Sequence, residues 1–221
     1  MFDYKIIRAT GQKYYFSGKD PRLLITSGIH GDEFEIIPAL EKLLQKYQSR
    51  LPGFLFIPEA SPSALAAGRR KNSRGLDLNR CFSAKPKEPE AVEIVRLLKP
   101  YKFPLFVSFH EDATQRDFYF YEYDHRRISP DKINQLGADL RTLGINLWEG
   151  IDDPHDPDLN NPVYNGYCYP RLKKNDVSLE GWVFQSKKAG KVILPEIPGL
   201  IPKYQKAKVA DLVFRRLILD F

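Results

Sequence analysis

The chain has 221 residues, of which 43% are hydrophobic and 28% are charged, so its composition is that of an ordinary globular protein. No apolar run approaches the roughly 20 residues that a membrane-spanning helix needs, and the amino-terminal residues lack the pattern of a signal peptide. The two cysteines, Cys81 and Cys168, are too few for a disulfide scaffold. We expect a single domain over residues 1–221 that is cytoplasmic and has no membrane partner.

The formal net charge of +6 raises the question of a nucleic-acid partner. However, the basic residues are spread along the chain and interleaved with acids, and no RRM, zinc-finger or homeodomain signature is present. A solvated basic surface is the simpler interpretation, so we expect no nucleic-acid partner. Nucleic-acid binding is kept only as a distant third hypothesis.

The amino-terminal half alternates predicted strands and helices. Residues 4–8 and 13–16 predict a hairpin, residues 22–27 and 54–57 buried strands, and residues 35–47 and 88–98 helices. Residues 58–86 have little periodicity, and structureless stretches this long in a compact domain are usually functional or disordered. Their content of Asn, Arg and Asp with leucine anchors predicts an ordered active-site loop.

The carboxy-terminal half continues the alternation. Residues 104–110, 118–121 and 192–194 predict strands, residues 129–143, 178–186 and 204–219 predict helices, and residues 152–170 predict a loop or lid. Strands that alternate with helices indicate an α/β fold. We therefore predict one domain with a mixed, mostly parallel twisted sheet and helices on both faces.

A short motif follows the first buried strand, in the stretch Ser27-Gly28-Ile29-His30-Gly31-Asp32-Glu33. His30 and Glu33 are three residues apart, so a turn at a strand end can aim both side chains at one point. Imidazole and carboxylate are ligands that suit zinc. An isolated H-x-x-E is a weak pattern, and the alternative is that His30 caps the turn while Glu33 is a solvated first-turn carboxylate.

A second histidine, His110, ends another predicted strand. In open α/β sheets the strand ends border the ligand crevice, so His30 and His110 can reach the same crevice. The other two histidines, His125 and His155, lie in polar loops and are expected at the surface.

Four further residues have the chemistry that a hydrolytic site needs. Glu196 follows the apolar residues 192–194 and is a candidate general base with a raised pKa; the alternative is an edge carboxylate paired with a lysine. Arg70, Asn79 and Arg80 lie in the long loop, where guanidinium groups can hold a carboxylate or an oxyanion. Surface charge for Arg70 and a turn for Asn79 remain open as alternatives.

Taken together, these motifs resemble the zinc carboxypeptidase family (peptidase family M14), in the order H-x-x-E, Arg, Asn-Arg, His and a late Glu. The segments that carry the resemblance are residues 28–33, 68–72, 75–82, 108–110 and 194–196. The Asp77-Leu78-Asn79-Arg80 form, followed by residues 88–91, looks most like the compact bacterial branch that includes murein peptide amidases. The resemblance runs from about residue 23 to residue 197 and implies the fold of that family.

The resemblance also implies a role for each matching position. The ligands of one Zn²⁺ ion would be His30, Glu33 and His110. The other carried-over roles are Glu196 as general base, Arg70 (or its neighbour Arg69) as the group that polarises the scissile carbonyl, and Asn79 with Arg80 as the grip on the substrate's terminal carboxylate.

Two assignments concern the side-chain pocket. In residues 178–182, Glu180 falls where the family places its specificity residue, which would favour a basic group such as Lys, Arg or the distal amine of diaminopimelate; an exposed first-turn acid is the alternative. The family's mobile tyrosine would be Tyr169, with Tyr167 in reserve. Two departures from the family pattern are Cys81, where Asn is frequent, and Pro195 immediately before Glu196.

The resemblance implies a zinc metallocarboxypeptidase or amidase that hydrolyses the amide bond next to a free-carboxylate residue of a small peptide. An aspartoacylase or succinylglutamate desuccinylase-like deacylase of N-acyl amino acids is the alternative enzyme, because it shares the same layout. A non-catalytic binding module predicts the loss of a ligand or of the base, and every such residue is present. The sequence makes no prediction of the oligomeric state.

Overall fold

The computed structural model describes residues 2–124, 127–152, 160–170 and 176–219. Within them the strands are β1 (Lys5–Ile6), β2 (Lys13–Ser17), β3 (Leu23–Thr26), β4 (Phe54–Ile57), β5 (Phe103–Ser108), β6 (His110–Asp112), β7 (Tyr119–Tyr123), β8 (Gly150–Ile151), β9 (Pro162–Val163), β10 (Tyr167–Cys168) and β11 (Ala189–Pro198). The helices are α1 (Ile37–Tyr47), α2 (Pro62–Ala67), α3 (Pro89–Leu98), α4 (Pro130–Thr142), α5 (Leu179–Gln185) and α6 (Lys203–Val213). None of these helices is long and apolar enough to cross a membrane.

One large sheet organises the chain, with its strands in the order β1-β2-β4-β3-β5-β11-β7-β10 and with β6 paired to β11. The central pairings, β3 with β4, β3 with β5, and β11 with both β5 and β6, are parallel. The pairings of β1 with β2, β2 with β4 and β7 with β11 are antiparallel. The predicted mixed, mostly parallel sheet is therefore confirmed.

Helices cover both faces of this sheet. β3 and β4 are fully buried apolar runs, as expected for parallel strands enclosed on two sides. One core layer joins α1, α4 and α6 to the sheet through residues such as Leu40, Leu136 and Val209. The other layer joins α3 and α5 through residues such as Ile94 and Val183. This arrangement confirms the predicted helices on both faces.

The long stretch of residues 58–86 is more structured than the sequence suggested. It contains α2 and a 3₁₀ turn at Leu78–Arg80. α2 begins at Pro62, which has the backbone angle of a first helical residue, and ends at Gly68 with φ of 59°. A helix of 6 residues is too short to produce a periodic apolar pattern, so α2 could not be predicted from apolar spacing.

Strand β11 is also longer than the predicted residues 192–194, because it begins at Ala189 and runs through Pro195 to Pro198. β11 pairs with β5 up to Ile193 and with β6 from Glu196 onwards. Pro195 therefore lies at the interruption between two neighbouring strands, where a missing N–H is tolerated. The same interruption explains why His110 opens β6 instead of ending β5.

Two more differences from the predicted elements are small. The closing helix is α6 followed by a π-helical turn at Phe214–Ile218. The predicted loop at residues 152–170 contains β9 and β10 in its described part. His125 and His155, expected at the surface, lie outside the described residues.

Candidate active site

A cavity of about 670 Å³ opens where β3, β6 and β11 come together at the carboxyl ends of the parallel strands. This is the edge of an α/β sheet at which ligands bind. The predicted site residues that line it are His30, Glu33, Arg70, Asn79, Arg80, His110, Glu180 and Glu196. Residues separated by up to 166 positions in the sequence are thus gathered around one space.

The turn that presents His30 and Glu33 depends on two glycines. Gly28 has φ of 61°, a conformation that favours glycine. Gly31 packs so closely on α2 that an added Cβ would lie 1.9 Å from the carbonyl oxygen of Ala64. Its N–H donates to the carbonyl of Arg69 at 3.1 Å. The close packing on α2 fixes the loop, and the loop aims both side chains into the cavity.

His30, Glu33 and His110 offer ligand atoms that all lie within 4.8 Å of one another. His30 Nδ1 is 2.5 Å from Glu33 Oε1, and His110 Nδ1 is 3.0 Å from Glu33 Oε2. All three side chains are buried. Burial alone raises the pKa of Glu33, but the two imidazoles beside it reverse that shift and hold the pKa well below its usual range.

The donor set fits a divalent metal ion. Glu33 Oε2 is buried, and its ion pair with His110 Nδ1 at 3.0 Å lacks the alignment of a hydrogen bond. Two imidazoles and one carboxylate, with space beside them in the cavity, are a donor set that suits a metal ion with one position left open. His30 and Glu33, whose motif was weak in isolation, are therefore brought together with His110.

The outer nitrogen of each imidazole also meets a carboxylate. His30 Nε2 is 3.2 Å from Asp77 Oδ1, and His110 Nε2 is 3.2 Å from Glu180 Oε1. Such carboxylates orient histidine ligands and raise their basicity. The sequence analysis missed this role for Asp77, although Asp77 stands two residues before Asn79 in the same motif. That position in the motif is its only sequence signal, because His30 lies 47 residues away in the chain.

Glu180 is fully buried, so the alternative of an exposed first-turn acid is wrong. Its Oε1 contacts His110, and its Oε2 accepts a hydrogen bond from Asn79 Nδ2 at 3.1 Å. Both oxygens are therefore engaged by the protein. A role of Glu180 in substrate specificity remains a prediction.

Asn79 links the long loop to α5. Its Oδ1 accepts a hydrogen bond from the backbone N–H of Leu179 at 2.8 Å, and its Nδ2 donates to Glu180. Because α5 begins at Leu179, Asn79 fixes the start of the helix that carries Glu180. This positioning function was not predicted.

Two arginines bring positive charge to the cavity. Arg70 is about half exposed, and its Nε donates to Asp77 Oδ2 at 3.0 Å. Arg80 lies in the 3₁₀ turn and donates to the backbone carbonyl of Asn79 at 3.1 Å. Arg69, the alternative to Arg70, is not among the described residues that line the cavity. The structure thus favours Arg70 over Arg69 as the cavity arginine.

Glu196 lies on β11 between two facing strands, opposite His110 of β6 and Tyr119 of β7. Burial raises the pKa of Glu196 to about 8; the carboxylates of Glu33 and Asp112 add to this rise, while the histidines oppose it. A carboxylate with increased proton affinity is suited to take a proton from water. A bound dication would lower this pKa.

Tyrosines reach the cavity from a different strand than expected. Tyr169 and Tyr167 are not among its described lining; Tyr169 instead donates its hydroxyl to the carbonyl of Asp124 at 2.6 Å. The lining tyrosines are Tyr119, Tyr121 and Tyr123 of β7. Their spacing of two places them on one face of the strand, but sequence alone did not indicate that this face borders the site.

Comparisons with known proteins agree with this geometry. Residues 19–141, more than half of the chain, match the family model described as the succinylglutamate desuccinylase/aspartoacylase catalytic domain. The matched segment contains His30, Glu33 and His110 and ends before Glu196. The matching model is that of the deacylases, which the sequence analysis held as the alternative to a peptidase.

Individual relatives match over different extents. The N-alpha-acetyl-L-2,4-diaminobutyric acid deacetylase of Halomonas elongata is 39% identical over 72 residues, which is 31% of this chain and only 21% of that protein. A candidate metallopeptidase from Shewanella baltica OS155 has a similar structure, with a TM-score of 0.76 and 20% identity, over 97% of this chain and 84% of that one.

A succinylglutamate desuccinylase/aspartoacylase from Rhodobacter sphaeroides has a TM-score of 0.54 and 15% identity, over 94% of this chain and 59% of that one. At these identities the two structural likenesses show a shared fold. The family match adds the class of chemistry, which is hydrolysis. The chain therefore belongs to the succinylglutamate desuccinylase/aspartoacylase catalytic-domain family, which is a family of hydrolytic enzymes.

Proposed function

We propose that this chain is a zinc-dependent deacylase that hydrolyses the amide bond of a small N-acyl amino acid. The observation that carries the proposal is the buried cluster of His30, Glu33 and His110, with Glu196 on the strand beside it. Membership of a deacylase family supports acyl hydrolysis as the reaction. The Halomonas elongata relative, whose name describes a deacetylase of an amino acid, supports the same substrate class.

One Zn²⁺ ion would be held by His30, Glu33 and His110. When bound there, zinc would polarise the scissile carbonyl and make water acidic enough to react near neutral pH. Asp77 and Glu180 would accept the outer ring N–H groups and so keep both imidazoles in the orientation in which Nδ1 faces Glu33.

Glu196 is the proton carrier in this proposal. Its carboxylate takes a proton from the attacking water, whose oxygen forms a bond to the acyl carbon. The same group then gives that proton to the departing nitrogen as the C–N bond breaks. The products are a carboxylic acid and a free amino acid, and Glu196 returns to its starting state.

The two cavity arginines provide the remaining electrostatics. Arg80 holds the carboxylate of the amino acid, and its place in the 3₁₀ turn is fixed through Asn79. Arg70 stabilises the developing oxyanion and is itself oriented by Asp77. Because Asp77 also contacts His30, one carboxylate couples the oxyanion arginine to the metal ligand.

Cleavage of a small peptide with a free carboxylate, including one with a basic or diaminopimelate residue, is the second candidate. The size of the cavity favours it, because about 670 Å³ exceeds the needs of an acetylated amino acid. Acidic side chains in its lining, such as Asp32, Asp112 and Asp176, suit an amine-bearing ligand.

The test is the Glu196→Gln variant, assayed on N-acetyl and N-succinyl amino acids, peptides with a free carboxy terminus and murein peptides. We expect wild type to hydrolyse N-acyl amino acids most efficiently. The variant should retain zinc and lose at least about 100-fold in kcat, since it cannot accept a proton. Glu93→Gln on α3, whose carboxylate pairs with Arg96 away from the cavity, is the control and should behave as wild type.

Substantial turnover by Glu196→Gln would overturn the assignment of the base. Preference for peptides by the wild-type protein would select the second candidate instead.

A further inference from the structure

Behind the metal ligands lies a buried ion cluster that the proposed chemistry does not use. Lys206 of α6 is only 4% exposed. Its Nζ is 2.7 Å from Glu111 Oε2 and 2.7 Å from Glu35 Oε2. One ammonium group from the last helix thus joins two carboxylates that are 76 residues apart in the sequence.

Each of those carboxylates is a near neighbour of a metal-ligand position. Glu111 directly follows His110, and Glu35 lies two residues after Glu33. Glu111 makes a second link between the two segments, because its Oε1 accepts a hydrogen bond from the backbone N–H of Ile36 at 2.9 Å. The start of α1 and the start of β6 are therefore tied together by charge and by a hydrogen bond.

Stability alone does not explain this buried ion cluster. Burying an ammonium group and a carboxylate incurs a large desolvation penalty, and well-packed apolar residues often replace such pairs without loss. What the cluster supplies is a fixed distance between the segment of Glu33 and the segment of His110. Side chains on these two segments must converge on one ion, and small displacements of ligands weaken metal sites.

We propose that Lys206 is a positioning residue for the metal site, which it serves by holding Glu111 and Glu35 together. This inference rests on the proposed function insofar as the site binds zinc. Among the described residues, the ion pairs of Lys206 are with Glu111 and Glu35 and not with the metal ligands, so it acts through the two segments that carry those ligands.

The chain offers a matched control in Lys191. Its Nζ also bridges two carboxylates, those of Glu122 at 2.8 Å and Asp124 at 3.0 Å, and its side chain is 15% exposed. Neither carboxylate is next to a metal-ligand position. Removing Lys191 should therefore destabilise the fold as removing Lys206 does, but it should not change the positions of the metal ligands.

The experiment compares wild type, Lys206→Met and Lys191→Met by two measurements. Competition with a fluorescent zinc chelator gives the zinc dissociation constant, and urea unfolding of the metal-free protein gives stability. We expect both variants to be less stable than wild type. Only Lys206→Met should raise the zinc dissociation constant, by about 10-fold or more, as loss of outer-sphere support does.

Glu35→Gln covers the case in which Lys206→Met does not fold. Glu35 is partly exposed, so this variant breaks one arm of the bridge at a tolerant position, and we expect a several-fold rise in the zinc dissociation constant. Unchanged zinc affinity in the folded Lys206→Met variant, or in Glu35→Gln if the first does not fold, would overturn the inference. Failure of wild type itself to bind zinc would refute the proposed function, a result that the wild-type titration reports separately.

Discussion

The carboxylate of Asp77 contacts three other residues of the candidate site. Its Oδ1 contacts His30 Nε2 and accepts from the backbone N–H of Asn79, while its Oδ2 accepts from Arg70. The neighbouring charges of His30 and Arg70 outweigh burial and keep the pKa of Asp77 below its usual range. These neighbours therefore favour the charged form of Asp77, which is the form that accepts hydrogen bonds.

Substitution of Asp77 by asparagine should weaken the metal site. The amide keeps the size of the side chain and can still accept from Asn79, but it lacks the charge that orients His30 and Arg70. We expect the zinc dissociation constant to rise roughly 10- to 100-fold, measured by competition with a chelator. Asp131→Asn, in the first turn of α4, is the control. Equal zinc affinity in wild type and Asp77→Asn would show that Asp77 does not support His30.

Residue-level prediction found residues that the structure brings together where a motif linked spacing to chemistry. His30, Glu33, His110 and Glu196 were identified as candidates from strand ends and short motifs, and the structure gathers them. Groups that act through another side chain, such as Asp77, had no such signal because their partners are distant in sequence. Tyr169 was placed by analogy in a loop, whereas the tyrosines at the cavity come from β7.

At the scale of elements, α1 and α6 are joined by polar contacts at the end remote from the ligands. Asp211 Oδ1 accepts from Lys46 Nζ at 2.7 Å and from the Tyr47 hydroxyl at 2.8 Å. Arg215, one turn further along, contacts its other oxygen at 3.1 Å. Burial alone raises the pKa of Asp211, but these donors more than offset burial and lower it. The charged form of Asp211 is therefore stabilised by folding.

The Asp211→Asn variant should show how this contact depends on pH. Because the pKa is lower in the folded state, the contribution to stability is present above the ordinary value of 3.8 and is lost as pH falls below it. We expect the variant to be about 1 kcal/mol less stable than wild type at pH 7. Urea unfolding at several pH values measures the difference, which should shrink below pH 3.8. A difference that stays constant down to pH 3 would contradict this account.

The predicted elements were most accurate where burial produced a regular apolar pattern. The strands at residues 22–27 and 54–57 and the helix at residues 35–47 agree with the structure to within about two residues. The pattern failed for α2, which is too short to be periodic, and for β11, which continues beyond the predicted residues 192–194. The pairing of β11 with β6 continues the strand from Glu196 to Pro198. Such a pairing between distant segments cannot be predicted from the local sequence.

At the scale of the whole molecule, the sheet topology creates the site. Parallel pairing of β3 with β5, and of β11 with both β5 and β6, brings the carboxyl ends of separate strands to one edge. His30 follows β3, His110 opens β6 and Glu196 lies on β11. That alignment brings the three candidate metal ligands and the candidate base to the same edge of the sheet. The family model covers both histidines but ends before Glu196. Glu196 is brought beside them by the pairing of β11 with β6.

The metal content of the freshly purified protein tests this account most directly. We expect elemental analysis to find one zinc ion per chain in wild type and almost none in His110→Ala, because that variant lacks one of three ligands. Circular dichroism of the variant should confirm that it is folded. Absence of any divalent metal from wild type, or an equal zinc content in folded His110→Ala, would contradict the account.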